Sequence, residues 1–258
     1  MATYPARADT LRAAVASIAP QLDRLHLVLN QYDAVPEWLP AHGNVVPTIP
    51  DADSKDTGKY LVPLPAGANW LFTLDDDILY PPDYVDRSLG GMACLGAGRY
   101  MGGYLGWTYR RARFLGARWI RRLIGYKPDY IANSADSVDF RDALDRAFVA
   151  EGLGTGVSVM RAGDVPPFET VRDAQRFIDV RLSSWCFDQG IVQVCLPRPA
   201  GWLRDAHEGS QAESIFEDFT LRPSPAVADE IWRIAFRNPR RGETLGFGFD
   251  DMAAAQTA

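Results

Sequence analysis

The sequence predicts a single α/β domain, and three observations lead to this prediction. Residues 2–29 read as a short extended start, an amphipathic helix and a second strand, which is the order of elements in a βαβ unit. Residues 70–77, Trp-Leu-Phe-Thr-Leu-Asp-Asp-Asp, form an apolar run of strand character that ends in three acids. A length of 258 residues is enough to bury a full core and is ordinary for one domain.

The N-terminal elements follow from the spacing of apolar residues. A helix is predicted over residues 10–22, where apolar side chains recur with helical spacing at Leu11, Val15, Ile18 and Leu22. Residues 25–29 read as a strand, 44–49 as another short strand, and 51–59 as a polar loop. After the acids, Pro81-Pro82-Asp83 begins a helix that is predicted to run to about Cys94.

The second half of the chain has weaker patterns. Residues 107–126, taken as a helix, would carry apolar groups on one half and arginines on the other. The remaining predicted elements are helices over 139–151, 172–185 and 226–236, strands over 157–160 and 191–196, and a frayed tail after Met252. The glycines of residues 152–156 predict a turn in which the backbone approaches another group closely.

Charge and composition exclude several classes of protein. The net charge of −6 argues against general nucleic-acid binding, so no nucleic-acid partner is expected. The segment from Arg87 to Pro128 contains basic residues but neither Asp nor Glu, which predicts one basic patch on an acidic body. No apolar stretch approaches membrane-spanning length and the N-terminus has no signal-peptide pattern, so we expect a cytoplasmic protein with reduced cysteines.

The three consecutive acids, Asp75, Asp76 and Asp77, predict a metal site. Crowded like charges repel one another unless a cation holds them together. In a strand, alternate side chains share a face, so Asp75 and Asp77 can point the same way while Asp76 points elsewhere. The alternative is an acidic cap on the helix that follows.

Several motifs in a fixed order resemble a known family. They are residues 4–7, 27–32, 56–60, 75–85, 153–157 and 179–190, which together cover about residues 1–203. The acids followed by Tyr80-Pro-Pro-Asp-Tyr84 are the most specific of them. In this order the motifs resemble the GT-A glycosyltransferases, and among these the family-2-like enzymes of bacterial polysaccharide and capsule synthesis.

The resemblance implies a fold and a division of the chain. The expected fold is Rossmann-like, with a mixed, mostly parallel central sheet flanked by helices in one domain. Residues 1–222 would form the glycosyltransferase domain, with 1–98 as the nucleotide-binding half and 99–222 as the acceptor half. Residues 223–258 would add the C-terminal helix and the frayed tail.

The resemblance also implies a donor, a cofactor and the residues that hold them. The donor would be a nucleotide-sugar, in the first instance a UDP-sugar, and the cofactor Mn²⁺ or Mg²⁺, which prefer hard oxygen ligands. Asp77 would bind the metal directly, Asp75 would face the ribose or a metal-bound water, and His207 would be a third ligand. The implied donor-binding residues are Pro5, Arg7, Asn30, Tyr32, Lys59, Asp75 and Asp76. For the loop residues among them, a solvated side chain is the alternative.

The acceptor side follows from the same resemblance. Residues Gly154, Thr155 and Gly156 would form an acceptor loop, and inversion at the sugar would require a carboxylate base. Asp179 is the predicted base, because its apolar neighbours can raise its pKa, and Asp188 is the alternative. The acceptor would be a saccharide or a lipid-linked molecule, and residues 107–127 would contact the anionic inner face of the membrane or simply pack on the core.

Two other functions remain open from the sequence. Clustered aspartates with a divalent ion also serve nucleotidyltransferases and phosphohydrolases. A membrane-surface assembly protein could keep the fold without turnover and work through its arginine-rich segment.

Overall fold

The structure, a computed structural model, describes residues 1–110, 135–206 and 225–255. These residues form a mixed α/β protein, which confirms the predicted class at that level. No helix in the described ranges is long and apolar enough to cross a membrane.

The strands, in chain order, have the following bounds: β1 Ala2–Thr3, β2 Leu25–Leu29, β3 Val45–Thr48, β4 Trp70–Leu74, β5 Ile78–Leu79, β6 Tyr100–Gly103, β7 Gly106–Tyr109, β8 Ala135–Val138, β9 Phe148–Val149, β10 Gly152–Leu153, β11 Val157–Arg161, β12 Val192–Cys195 and β13 Arg204–Asp205. The α-helices are α1 Ala8–Ile18, α2 Tyr84–Leu95, α3 Phe168–Val171, α4 Ile178–Gln189, α5 Pro225–Ile234 and α6 Phe249–Ala255. Short 3₁₀ helices cover Pro5–Arg7, Ala19–Gln21, Leu39–Ala41, Lys55–Tyr60 and Ala162–Asp164.

The N-terminal elements form the predicted parallel unit. Strands β1, β2 and β3 make a sheet in that order, and both pairs run parallel. Helix α1 connects the first two strands and buries Leu11, Val15 and Ile18, as its spacing predicts. The carboxyl ends of β1 and β2 therefore lie at the same edge of this sheet.

A second sheet carries the acids. Its strand order is β4-β11-β6-β12-β9, and only the β6–β12 pair is parallel. The prediction of a mostly parallel central sheet is therefore wrong for the described residues. Parallel neighbours need a crossover connection, usually a helix, whereas the elements described between β6 and β11 are strands.

Three predicted elements differ from the structure. Residues 139–151 are not a helix, because Leu144 pairs with Arg198 and β9 pairs with β12. The helix predicted over 172–185 begins later, at Ile178, after Arg176 adopts a left-handed φ of 72° that helical residues do not have. Residues 107–109 are strand and not helix, and residues 111–127 of that prediction lie outside the described ranges.

Helix α6 packs tightly on α2, although the chain after Met252 was predicted to fray. The contact uses Gly90 of α2, whose backbone lies against the carbonyl of Met252, and Met252 itself is fully buried. Helix α6 continues to Ala255, and residues 256–258 lie outside the described ranges.

Replacing Gly90 should therefore destabilise the fold. A Cβ at Gly90 would lie 1.8 Å from the carbonyl oxygen of Met252, so one helix would have to move. We expect Gly90→Ala to lower the free energy of unfolding by about 2 kcal/mol or more in urea denaturation, despite the higher helix propensity of alanine. The matched control is Gly43→Ala, which meets no atom within 4 Å and should change stability by less than about 0.5 kcal/mol. Equal stability of the two variants would contradict this packing.

Candidate functional site

The three acids form a turn between β4 and β5, which we call the acid turn, residues Asp75–Asp77. The Asp76 side chain is buried, whereas those of Asp75 and Asp77 are 38% and 40% exposed. The turn is not extended strand, but it has the predicted outcome that the first and third acids are accessible while the second is buried.

The hydroxyl of Tyr80 fixes the backbone of the acid turn. It accepts the N–H of Asp75 at 2.8 Å and donates to the carbonyl of Gly156 at 2.7 Å. The same Asp75 N–H also donates to the Gly156 carbonyl, at 3.2 Å. One buried side chain thus joins the end of β4 to the residue before β11. Sequence reasoning gave Tyr80 no role, although it lies in the most specific motif.

The glycines of the loop that precedes β11 allow two close approaches, as the glycine cluster predicted. A Cβ on Gly154 would lie 2.3 Å from Leu105, and a Cβ on Gly156 would lie 1.9 Å from Oδ2 of Asp75. The loop residues Gly154, Thr155 and Gly156 are all buried. They position the acid turn, and contact with an acceptor stays a prediction.

Gly156→Ala should push the Asp75 carboxylate out of its place. Because the added methyl would overlap this carboxylate, we expect the free energy of unfolding to fall by about 1–3 kcal/mol in urea denaturation. Gly163→Ala, on the other side of β11, meets no atom within 4 Å and is the matched control. A Gly156→Ala protein as stable as the control would mean that Asp75 does not occupy this position.

Two basic side chains from distant parts of the chain neutralise the acid turn. Lys59, whose side chain is only 5% exposed, pairs with Asp75 through Nζ. Arg7 uses Nη1 to contact both Asp76, at 3.1 Å, and Asp77. The predicted donor-binding residues Arg7 and Lys59 therefore lie at the acids.

Asp179 belongs to the same network. Its Oδ1 accepts the backbone N–H of Thr155 at 2.9 Å, and the hydroxyl of Thr155 accepts a hydrogen bond from Lys59 at 3.2 Å. Burial raises the pKa of Asp179, against the opposing effect of Lys59. Burial alone would lower the pKa of Lys59, but Asp75 and Asp179 hold it above its ordinary value.

Asp188, the alternative base, lies elsewhere. It occupies the last turn of α4, whereas Asp179 occupies the first. Its carboxylate is exposed and pairs with Arg233 of α5. Asp188 therefore has a structural partner at the opposite end of the helix, and Asp179 is the better candidate for chemistry near the acid turn.

A group of buried polar atoms beside Asp76 has no hydrogen-bond partner in the part of the chain that the structure describes. The atoms are Oγ1 of Thr3, the hydroxyl of Tyr32 and Oδ2 of Asp76. Burial raises the pKa of Tyr32 and of Asp76, and the Thr3 hydroxyl opposes both shifts, so the three groups lie close together. Polar atoms buried without partners are uncommon and call for a ligand or a water molecule.

The other predicted donor-binding residues have mixed positions. Asn30 is buried, with its side chain bonded to Ser54 and to the carbonyl of Lys55, so it joins β2 to the following loop. These bonds explain the residue without a ligand. Pro5 is exposed at the first position of its 3₁₀ helix, near Arg7.

His207, the predicted third metal ligand, lies outside the described residues. The residue before it is informative, because Ala206 donates its N–H to the carbonyl of Asp77 at 2.7 Å. Strand β13 leads to this point by pairing with β5. The described chain thus reaches the acid turn one residue before His207.

The electrostatics of the acid turn favour a positive charge. Burial, and then repulsion from Asp75 and Asp77, raise the pKa of Asp76 to about 6, although Arg7 opposes the shift. Burial and repulsion from Asp75 likewise raise the pKa of Asp77. Within residues 1–110, 135–206 and 225–255, no three His, Cys, Asp or Glu side chains already converge as metal ligands.

Neither a protein-family model nor a curated protein sequence matches this chain.

Proposed function

We propose that the protein is a metal-dependent glycosyltransferase of the GT-A type. It would transfer a sugar from a nucleotide-sugar, in the first instance a UDP-sugar, to a hydroxyl acceptor in polysaccharide or glycolipid synthesis, with inversion. This proposal rests on the resemblance of the sequence motifs and on the geometry of the acid turn.

One observation carries the proposal. The acid turn and the separate candidate base, Asp179, lie in one network, linked through Lys59 and Thr155. Such a transfer needs two things near each other, which are stabilisation of the diphosphate leaving group and a base for the acceptor hydroxyl. The residues were about 100 positions apart in the predictions from sequence, and the fold brings them together.

The donor atoms of the acid turn suit Mn²⁺ or Mg²⁺. They are carboxylate oxygens, which these hard cations prefer, and Oδ2 of Asp76 is buried without a partner. A bound divalent cation would supply a Lewis acid that stabilises the diphosphate. Asp75 and Asp77 would hold it, with His207 as a third ligand, and the bond from Ala206 to Asp77 supports the latter.

The remaining roles belong to side chains of the chain itself. Arg7 and Lys59 would neutralise phosphate charge, and Tyr32 with Thr3 would meet the polar part of the nucleoside. Asp179 would accept the proton of the attacking hydroxyl, for which its raised pKa suits it. Tyr80 would hold Asp75 in position through the backbone.

The test is an assay of hydrolysis and transfer with Mn²⁺ across UDP-, GDP- and dTDP-sugars. Release of nucleoside diphosphate from one donor, with transfer to a hydroxyl acceptor, is the expected result. Release of nucleoside monophosphate or inorganic phosphate would instead identify a nucleotidyltransferase or phosphohydrolase. No turnover of any donor would favour an assembly protein that has lost catalysis.

Location and acceptor complete the proposal. We propose a cytoplasmic enzyme that touches the anionic inner face of the membrane through residues 107–127, of which the described ranges contain only the first four. Binding to anionic vesicles at low salt would support this contact. Protein that ignores such vesicles would restrict the acceptor to soluble saccharides.

A further inference from the structure

We propose that Arg7 and Lys59 are internal counterions of the acid turn, which release its carboxylates when a divalent cation binds and then bind the donor diphosphate. The consequence is that the metal and the nucleotide bind cooperatively. This inference rests on the proposed function and adds to it a rule for how the site is filled.

The first step is that the two cations already occupy the positions that a metal would need. Lys59 pairs with Asp75, and Arg7 pairs with Asp77 and with Asp76. Asp75 and Asp77 are the two accessible acids of the turn, at 38% and 40% exposure. A metal that approaches from solvent therefore meets carboxylates that are already paired.

The second step is the balance of charge. Three carboxylates of the acid turn face two cations, so the group keeps one formal negative charge. A divalent cation alone would make the group positive and would leave Lys59 without its partner in a place where little solvent reaches. Charges left unpaired in a buried site are strongly unfavourable.

The third step is that a diphosphate restores the balance. It brings negative oxygens that Arg7 and Lys59 can bind once they have left the carboxylates. Lys59 already contacts a second group, the Thr155 hydroxyl at 3.2 Å, so it can leave Asp75 and remain in the site. The buried, unpartnered Oδ2 of Asp76 is a further atom of this turn that a ligand can engage.

Cooperativity follows from these steps, because each ligand removes the cost that the other meets. A coupling of this kind is reciprocal, so the metal must tighten nucleotide binding as much as the nucleotide tightens metal binding. Typical couplings are about 5–150-fold, and we expect a value at the upper end.

The experiment measures Mn²⁺ binding to the full chain by electron paramagnetic resonance of free Mn²⁺. It is done without nucleotide and with UDP, GDP or dTDP, corrected for Mn²⁺ bound by nucleotide in solution. The variants are Lys59→Met and Arg7→Met. Their matched controls are Lys55→Met, an exposed lysine in the same 3₁₀ helix as Lys59, and Arg12→Met, an exposed arginine of α1.

If the proposal holds, Lys59→Met and Arg7→Met each bind Mn²⁺ alone about 10-fold tighter than wild type, since a competing cation is gone. In both variants the tightening of Mn²⁺ binding by nucleotide falls several-fold. The controls keep the wild-type values. One of the two variants is sufficient to show the effect if the other does not fold.

The contrary results separate this inference from the proposed function. Wild-type turnover of a nucleotide-sugar, with Mn²⁺ affinity unchanged or weaker in both variants, would overturn the counterion role alone. Equal changes in the variants and in their controls would also overturn it, because the effect would then be one of net charge. Absence of Mn²⁺ and nucleotide binding in every form would overturn both proposals.

Discussion

Asp77→Ala should abolish glycosyl transfer and metal-dependent nucleotide binding while the protein stays folded. Asp77 is an accessible acid of the acid turn, and its carboxylate is the proposed direct metal ligand. Loss of metal stabilisation, worth several kcal/mol, should lower kcat/KM by about 10³-fold or more. The fold should survive, because the side chain is 40% exposed and its loss opens no core cavity.

The measurement is nucleotide-sugar turnover with Mn²⁺, together with circular dichroism and thermal unfolding. Asp23→Ala is the matched control, because Asp23 is exposed just before β2, at the opposite end of the parallel sheet. It should keep wild-type turnover. Full activity in Asp77→Ala, or activity of the wild type in excess chelator, would rule out the metal mechanism.

Asp179→Asn should lower turnover by about 10²-fold or more and leave donor binding intact. An amide of the same shape can still accept the N–H of Thr155, so the network keeps its geometry. It cannot take up the proton of the acceptor hydroxyl. In the wild type, the raised pKa of Asp179 makes this proton transfer easier near neutral pH.

Single-turnover kinetics and donor titration separate the two effects. Asp188→Asn, at the far end of the same helix, is the matched control and should keep its turnover. A collapse of donor affinity in Asp179→Asn with turnover retained would make Asp179 a binding residue. Loss of turnover in Asp188→Asn alone would move the base to the other end of α4.

The N-terminal elements could be predicted because local patterns and the fold agree there. The spacing of Leu11, Val15 and Ile18 predicts the buried face of α1, and residues 25–29 form β2 as predicted. In both cases the side chains that set the pattern also make the tertiary contacts. The position of the acids after β4 followed from the same reasoning.

The error at residues 139–151 has the opposite cause. Leu144 and Phe148 are four positions apart, which is a helical spacing, but both are engaged in pairing with distant chain. Leu144 bridges to Arg198, and β9 pairs with β12. Such contacts override a weak local pattern, and a single sequence does not reveal them.

The candidate site was predictable in its residue types but not in its pairings. The acids, Lys59 and Asp179 could be named from their motifs. The contact of Arg7 with Asp77 joins residues 70 positions apart, and the hydroxyl of Tyr80 holds backbone atoms of two strands. Both depend on the way the strands are brought together, which residue patterns do not specify.

The bond network of Tyr80 has a consequence for the entropy of ligand binding. Ordering the backbone of one residue costs about 1–2 kcal/mol, and a loop that becomes ordered only around its ligand loses that free energy from its affinity. At the acid turn, the Tyr80 hydroxyl and the Gly156 carbonyl order the chain at Asp75 during folding. Ligand affinity at this turn should therefore depend on the exchange of side-chain charges, with little contribution from ordering of the main chain.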